Sequence, residues 1–217
     1  MPSHDALCRM RTVLLAALTA IALPVAAHAD KLPPRDECAA DASFAAFHKA
    51  FAAAVQARDA KALLAMTAPD VEFEMGEAST RAGFVKEWTL DTPAKSKLWA
   101  ELDAMLPLGC ALDPGLASVP YMYARMPPKR ETADAIPGRP RVNLRVAPAL
   151  DAKVVRLLDW DLLTVIDEQH PGWTHVKLDD GTEGYVSSDF IRNAYSYRAL
   201  FKKRGGKWMM SAFVAGD

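Results

Sequence analysis

Residues 142–191 read VNLRVAPALDAKVVRLLDWDLLTVIDEQHPGWTHVKLDDGTEGYVSSDFI, and this stretch decides how the chain is organised. It alternates short apolar runs with turn residues. Its punctuating features are Asn143-Leu144-Arg145, a turn at Pro148, an apolar run from Val154 to Leu158, Gly172-Trp173, an Asp179-Asp180-Gly181 turn and Gly184-Tyr185-Val186. Short strands separated by such turns predict a small all-β unit.

The spacing of these features resembles the bacterial SH3 family over residues 142–192, and we expect the domain to cover 141–192. The resemblance implies a small barrel of a kind often attached to exported proteins that meet the cell wall, and so a binding module rather than a catalyst. One departure is Trp160-Asp161, where the family usually has a Lys-Gly-type turn. A tryptophan at that turn predicts either contact with the rest of the chain or an exposed aromatic that binds a ligand.

Four residues of the barrel are candidates for ligand contact. Trp173, Tyr185 and Trp160 are aromatic, and aromatic side chains dominate peptide-binding grooves. Asp189 lies near the end of the pattern, where it would meet a cationic group of a peptide. The competing interpretation gives the aromatic residues structural roles and makes Asp189 a solvated loop residue.

The N-terminus, residues 1–29, has the features of a secretory signal peptide. An apolar run from Val13 to Leu23 follows two arginines, and Ala27-His28-Ala29 is a small-x-small cleavage site before Asp30. The run is shorter than the roughly 20 residues that a membrane span needs. We therefore expect a periplasmic or secreted protein with no membrane span after cleavage. The net charge of −1 gives no electrostatic case for binding nucleic acid.

The segment before the barrel predicts more helices than strands. Phe44, Phe47 and Phe51 recur at helical spacing, so we expect an amphipathic helix from Ser43 to Ala57. Strict alternation from Val71 to Met75 predicts a half-buried strand. A second strand is expected from Val119 to Met126. The segments 30–41 and 127–140 are polar or rich in proline and charge, and we expect a flexible lead-in and a linker there.

Two more strands follow the barrel, at Tyr195 to Lys203 and Trp208 to Val214, with Gly205-Gly206 in the turn between them. A lone two-stranded hairpin is only marginally stable, so we expect this pair to complete a sheet begun before the barrel. The predicted fold class is α+β, with helices packed on a four-stranded antiparallel sheet. Residues 42–126 and 194–217 would form this discontinuous domain, with the small all-β barrel inserted in it.

The discontinuous domain resembles the nuclear-transport-factor-like cone fold. The phrase that resembles the opening of that fold is Phe51…Arg58-Asp59…Leu63…Ala68-Pro69-Asp70-Val71. Tyr197 to Phe201 and Gly206-Lys207-Trp208 are similar to its last hairpin. The resemblance implies a curved, cone-like sheet. Members of that superfamily are dehydratases, isomerases or non-catalytic binders, so the fold does not settle the function.

A cone would enclose a pocket, and four residues are candidates for lining it: His48, Tyr121, Tyr123 and Trp88. His48 would be the general acid or base of such a pocket. No partner acid is identifiable, and aromatic residues at these spacings are more often core residues, so we assign no catalytic residue. The sequence lacks a nucleophile elbow, a His-Glu-x-x-His motif and a Cys-x-x-Cys motif, and it predicts no metal and no cofactor.

Two cysteines, Cys38 and Cys110, remain after signal-peptide cleavage. An even number of cysteines in an oxidising compartment predicts a disulfide between them, and two unpaired thiols are the alternative.

The sequence therefore predicts a non-enzymatic, exported protein of the bacterial envelope whose barrel recognises cell-wall peptide or a protein partner. The alternative is a small cone-fold enzyme of the dehydratase or isomerase type, with the barrel used for targeting. A third interpretation is a structural assembly module.

Overall fold

The computed structural model describes residues 30–74, 80–130, 134–193 and 195–216. The predicted signal peptide and Met75 lie outside these residues. No helix in the described ranges is both long and apolar enough to cross a membrane.

The helices of the described residues are, in chain order, α1 (Ala42–Gln56), α2 (Ala60–Ala65), α3 (Arg81–Glu87), α4 (Leu98–Met105) and α5 (Tyr121–Arg125). The strands are β1 (Thr67–Glu72), β2 (Ala111–Asp113), β3 (Leu116–Val119), β4 (Ala135–Pro137), β5 (Val142–Arg145), β6 (Val154–Leu158), β7 (Thr164–His170), β8 (Trp173–Lys177), β9 (Glu183–Ser187), β10 (Ile191–Asn193), β11 (Arg198–Arg204) and β12 (Lys207–Val214). The chain is thus a mixture of helices and several sheets.

The first sheet joins strands from both sides of the barrel in the order β1-β12-β11-β3-β2. Its β11–β12 hairpin turns at Gly205 and Gly206, both with positive φ, as the sequence predicts. The expectation of four antiparallel strands is wrong, because this sheet has five strands and β1 runs parallel to β12. The alternation from Val71 to Met75 predicts a strand there, but β1 lies earlier and overlaps that stretch only at Val71 and Glu72. Alternation also specifies a buried face but neither a neighbour nor a direction.

The strand expected from Val119 to Met126 is also wrong, because β3 ends at Val119 and α5 begins at Tyr121. Pro120 lies between them and has no backbone N–H to continue the ladder with β11. The Tyr121 N–H instead donates to the Gly109 carbonyl at 3.1 Å.

Aromatic side chains hold the helices against this sheet. The Asp41 carboxylate caps α1 by accepting from the Ser43 and Phe44 backbone N–H groups, and this places the apolar stripe of α1 toward the sheet. Phe44 and Phe51 of α1 lie 5.6 and 5.3 Å from the Phe201 ring of β11, both edge to face. Phe201 therefore anchors the first helix of the chain to a strand that follows the barrel.

The second five-stranded sheet has the order β6-β5-β9-β8-β7 and forms the small all-β unit. Val142, Leu144, Leu158, Leu163, Val176, Leu178 and Val186 form its core. Gly184 allows β9 to approach β5 closely, because a Cβ at this position would lie 2.6 Å from the Arg145 carbonyl oxygen. The predicted strand from Val154 to Leu158 is confirmed with the same bounds.

The segment expected as a linker, 127–140, carries structure of its own and needs correction. Its strand β4 pairs antiparallel with β10, with Ala135 opposite Asn193. Arg130 is buried and pairs with Asp134 and Asp179. A three-residue strand is too short to produce a periodic pattern, so the proline and charge content of the segment dominated the prediction.

The lead-in, 30–41, is likewise tied down at both ends, in contrast to the flexible segment expected there. The Leu32 N–H donates to the Trp160 carbonyl at 2.8 Å, and a 3-10 helix covers Glu37–Ala40. Cys38 and Cys110 form a disulfide with their Cα atoms 5.7 Å apart. This bond attaches the lead-in to the start of β2.

Candidate functional site

Strand β5 has two faces with different chemistry. Val142 and Leu144 are buried in the core of the barrel, and Arg141, Asn143 and Arg145 alternate with them. Side chains at alternate positions of a strand share a face, so Asn143 and Arg145 lie on the outer side of the sheet. Arg141 precedes the strand with a φ of +60°, and its side chain lines the same recess as theirs.

A recess of about 70 Å³ lies on this outer side, and we call it the arginine groove. It is lined by Arg139, Arg141, Asn143, Arg145, Leu150, Trp173, Ser187 and Phe190. No aspartate or glutamate is among these lining residues. The recess therefore combines positive charge with aromatic and aliphatic surface.

Two of the arginines are held in place by neighbours. The Arg139 guanidinium lies over the Phe190 ring at 3.9 Å from its centroid, which is a cation–π contact. Arg145 Nη1 donates to the Ala152 carbonyl at 2.7 Å. Among the described residues, neither these two nor Arg141 has a carboxylate within ion-pair distance. No ion pair therefore offsets their charge in the described part of the chain.

Trp173 forms the aromatic wall of the groove. It opens β8 directly opposite Ser187 of β9, and both side chains line the recess. Trp173 is half-buried, so part of its ring is open to a ligand. Leu150 also lines the recess and is 77% exposed, which is the largest exposure among the large apolar side chains of the described residues. The two side chains give the recess apolar surface for a ligand to contact.

Tyr185 lies next to the groove but does not line it. It is the cross-strand neighbour of Arg145 on one side and of His175 on the other, so all three share the outer face. Its ring stacks on His175 at 4.6 Å and meets His170 edge to face at 5.2 Å. These contacts give Tyr185 a role in shaping the outer face.

Asp167 completes this polar row by meeting His175 Nδ1 at 3.2 Å. A hydrogen bond from the Gln169 N–H, with the adjacent His175, lowers the pKa of the Asp167 carboxyl below its ordinary value. The carboxylate is therefore the favoured form beside the imidazole.

Trp160 contacts residues outside the barrel. Its side chain packs against the buried cluster of Met122, Ile136 and Leu162, and its carbonyl accepts from Leu32. Of the two alternatives for this tryptophan, the structure therefore favours contact with the rest of the chain. Asp189 is exposed, lies outside the groove, and makes no hydrogen bond or ion pair with another described residue.

The four residues expected around a pocket of the larger domain lie in separate environments. His48 stacks on Phe44 at 5.6 Å, and its Nε2 is buried with no hydrogen-bond partner among the described residues. Burial lowers the pKa of this imidazole below its ordinary value. Tyr121 is buried, and Tyr123 lies under the Arg198 guanidinium at 4.7 Å.

Trp88, the fourth of these residues, lines a cavity of about 390 Å³ with Thr89, Lys95, Lys97, Glu87 and Tyr197. Its ring meets Tyr197 and Phe213, each at 5.3 Å. His48, Tyr121 and Tyr123 do not line this cavity. A second recess, of about 440 Å³, lies beside Trp208 and Phe47 and contains none of the four. No acid–base pair of the expected kind is therefore assembled at either place.

The sequence prediction named Trp173 but missed the arginines, Leu150 and Phe190. A usable signal was the concentration of arginine in the segment Arg139-Pro140-Arg141-Val142-Asn143-Leu144-Arg145, where Asn143 and Arg145 share a strand face. Phe190 and Leu150 gave no such signal, since they reach the recess from a 3-10 helix and a turn outside the alternating strands.

The comparisons with known proteins bear on the barrel. The family model for the bacterial SH3 domain matches residues 140–192, which confirms the resemblance predicted for 142–192. Among solved structures, the chain is similar to a "putative ketosteroid isomerase" from Shewanella frigidimarina NCIMB 400, with 9% identity, a TM-score of 0.31, and 81% of this chain and 96% of that chain covered. So low a TM-score supports no conclusion about the cone-like fold. No curated protein matches the sequence.

Proposed function

We propose that this is a non-enzymatic protein of the bacterial envelope that recognises cell-wall peptide, or a protein partner, through its SH3-like barrel. The observation that carries the proposal is the arginine groove, where the half-buried Trp173 lies beside three arginines that have no carboxylate partner among the described residues. An open aromatic surface with convergent polar donors is what a peptide-binding site requires.

The proposal includes an organisation of the chain. The larger domain would comprise residues 42–126 and 194–217, with a cone-like character, and the barrel would comprise residues 141–192. Hydrogen bonding of β11 to β3, and of β12 to β1, supports this division, because both pairs unite strands from before and after the barrel. The larger domain would then present the barrel to its ligand.

Export is the third element of the proposal. It rests on the signal-peptide features of residues 1–29, on the resemblance to bacterial SH3 domains and on the Cys38–Cys110 disulfide, which suits an oxidising compartment. We propose a periplasmic or secreted location.

A sedimentation assay with insoluble peptidoglycan tests the proposed function. Purified residues 30–217 would be mixed with wall material, and saturable co-sedimentation is expected. Trp173→Ala should abolish it. Ile166→Ala is the matched control, because Ile166 is also an exposed apolar residue of the barrel but lies outside the groove. Circular dichroism would establish that both variants are folded.

Absence of co-sedimentation at high protein concentration would remove wall peptide as the ligand. Equal binding by wild type and Trp173→Ala would place any wall contact away from the groove.

A further inference from the structure

The arginines of the groove differ from most other arginines of the described residues. Six others pair with carboxylates: Arg58, Arg125, Arg130, Arg156, Arg192 and Arg204. Arg139, Arg141 and Arg145 have no such partner there, although all three line one small recess. Each guanidinium carries a positive charge, so the groove concentrates positive charge in one small recess.

Like charges gathered in one recess repel each other, and an anion bound there would relieve this repulsion. The Arg139 guanidinium is oriented by the Phe190 ring, and Arg145 is anchored through one nitrogen to the Ala152 carbonyl. Two of the three donors are therefore positioned before a ligand arrives, which lowers the entropic cost of binding. A planar guanidinium is suited to two parallel hydrogen bonds with a carboxylate.

The other residues that line the groove indicate which chemical groups of the ligand lie next to the anion. Trp173 and Leu150 offer apolar contact, and the Asn143 amide and Ser187 hydroxyl make no hydrogen bond with another described residue. These groups suit a small apolar side chain and a peptide linkage next to the anion. A recess of about 70 Å³ takes the terminal group of a ligand rather than the face of a folded protein.

We propose, resting on the function above, that the arginine groove binds a free carboxylate of a cell-wall stem peptide. The three arginines hold the carboxylate, and Trp173 packs against the adjacent apolar side chain. The ligand is then anionic at its point of attachment, which is the opposite of the cationic group expected for Asp189.

Two soluble ligands that differ only in charge test this assignment. Residues 30–217 would be titrated, with tryptophan fluorescence or calorimetry as readout, against a disaccharide peptide from peptidoglycan with free carboxylates. The same molecule with its carboxylates amidated would be the comparison. Amidation should weaken binding at least about tenfold, because charge-assisted hydrogen bonds are lost. Raising salt from about 50 to about 500 mM should weaken binding of the free acid more than that of the amide.

Variants of the protein provide the second arm. The double variant Arg139→Gln, Arg141→Gln removes two exposed charges and should weaken binding of the free acid at least about tenfold. Lys61→Gln is the matched control, since Lys61 is an exposed cation of α2 without an ion pair in the described part of the chain. Circular dichroism would check the fold of each variant.

The outcomes separate this inference from the function on which it rests. Equal affinity for acid and amide, or unchanged binding by the double variant, would overturn the carboxylate assignment, while loss in Trp173→Ala would keep the barrel as the binding module. Failure of both the soluble peptide and insoluble wall to bind wild type would overturn the inference and the wall-binding function together. Preferential capture of an acidic protein C-terminus would likewise reject the wall peptide.

Discussion

The Asp179 carboxylate accepts two hydrogen bonds from Arg130 Nη2, at 2.6 and 2.7 Å. Arg130 belongs to the segment that enters the barrel, and Asp179 lies in the hairpin turn between β8 and β9. The Arg130 side chain is 5% exposed and that of Asp179 is 33% exposed, so the guanidinium is buried while the carboxylate keeps contact with water. Asp179 also accepts from the Asp30 backbone N–H at 3.3 Å. One turn of the barrel thus holds two other segments of the chain.

Asp179→Ala should lower the free energy of unfolding by about 2 kcal/mol, because it leaves a buried guanidinium with Asp134 as its remaining carboxylate. Urea denaturation would measure the loss. Asp189→Ala is the control, since this exposed residue has no described partner, and its effect should stay within about 0.5 kcal/mol. Equal effects of the two substitutions would show that the Arg130 pair adds nothing to stability.

At Trp160, substitution by glycine should destabilise the protein less than substitution by alanine. Its φ is +63°, a conformation that favours glycine, while its side chain packs on the cluster around Leu162. Both Trp160→Gly and Trp160→Ala lose this packing, but glycine also relieves backbone strain. We therefore expect the glycine variant to be more stable than the alanine variant by about 1 kcal/mol. Thermal or chemical denaturation would compare the stability of the two variants. If Trp160→Ala were the more stable one, the backbone at this position would not be strained.

His48 makes stability depend on pH. Burial lowers its pKa in the folded state, so between that value and the ordinary histidine pKa the unfolded chain binds more protons. The stabilisation from the neutral imidazole is present above about pH 6.5 and is lost as the pH falls through the folded-state pKa. His48→Phe removes this titration and a buried nitrogen without a described partner, so it should flatten the stability profile.

Denaturant midpoints of wild type and His48→Phe at about pH 7 and about pH 5 would measure the difference. The variant should be at least as stable as wild type at the lower pH. If the stability of both proteins fell equally from the higher to the lower pH, the pKa of His48 would be the same in the folded and unfolded states.

The Cys38–Cys110 disulfide closes a loop with a sequence separation of 72 residues around α1 to α4. The chain-entropy model predicts about 4 kcal/mol of stabilisation for a loop of this length. The double variant Cys38→Ser, Cys110→Ser should therefore unfold at a much lower denaturant concentration than the oxidised protein. A reducing agent should lower the denaturation midpoint of the wild-type protein toward that of the variant. If a thiol reagent reacted with two cysteines in denatured protein that had not been reduced, the disulfide would be absent.

Local patterns predicted much of the architecture. The alternation of β5, the apolar run of β6 and the Gly205-Gly206 turn each fix a structure within a few residues, so the barrel and the last hairpin were predictable. The parallel pairing of β1 with β12 was not, because it depends on contacts between residues far apart in the chain.

The candidate site was predictable in part for the same reason. Trp173 follows a glycine in a recognisable motif, and Asn143 and Arg145 share a face of β5 by alternation. Phe190 joins them only because the 3-10 helix before β10 places its ring under Arg139. Conversely, the residue types of His48 and Tyr121 suit the lining of a pocket, but α1 and α5 place the two side chains in different surroundings.

The pairing of β4 with β10 means that the chain enters and leaves the barrel at the same point, with Pro137 opposite Ile191. Residues 138–190 are therefore a cassette whose two ends lie side by side. A short turn in place of the cassette would reconnect β4 to β10 as a hairpin, but it would also remove the bridge from Leu163 to Ala135 and the packing of Trp160 on Ile136. Exchanging the barrel for another module of similar end spacing would cut no strand of the first sheet, and the new module would have to replace these contacts.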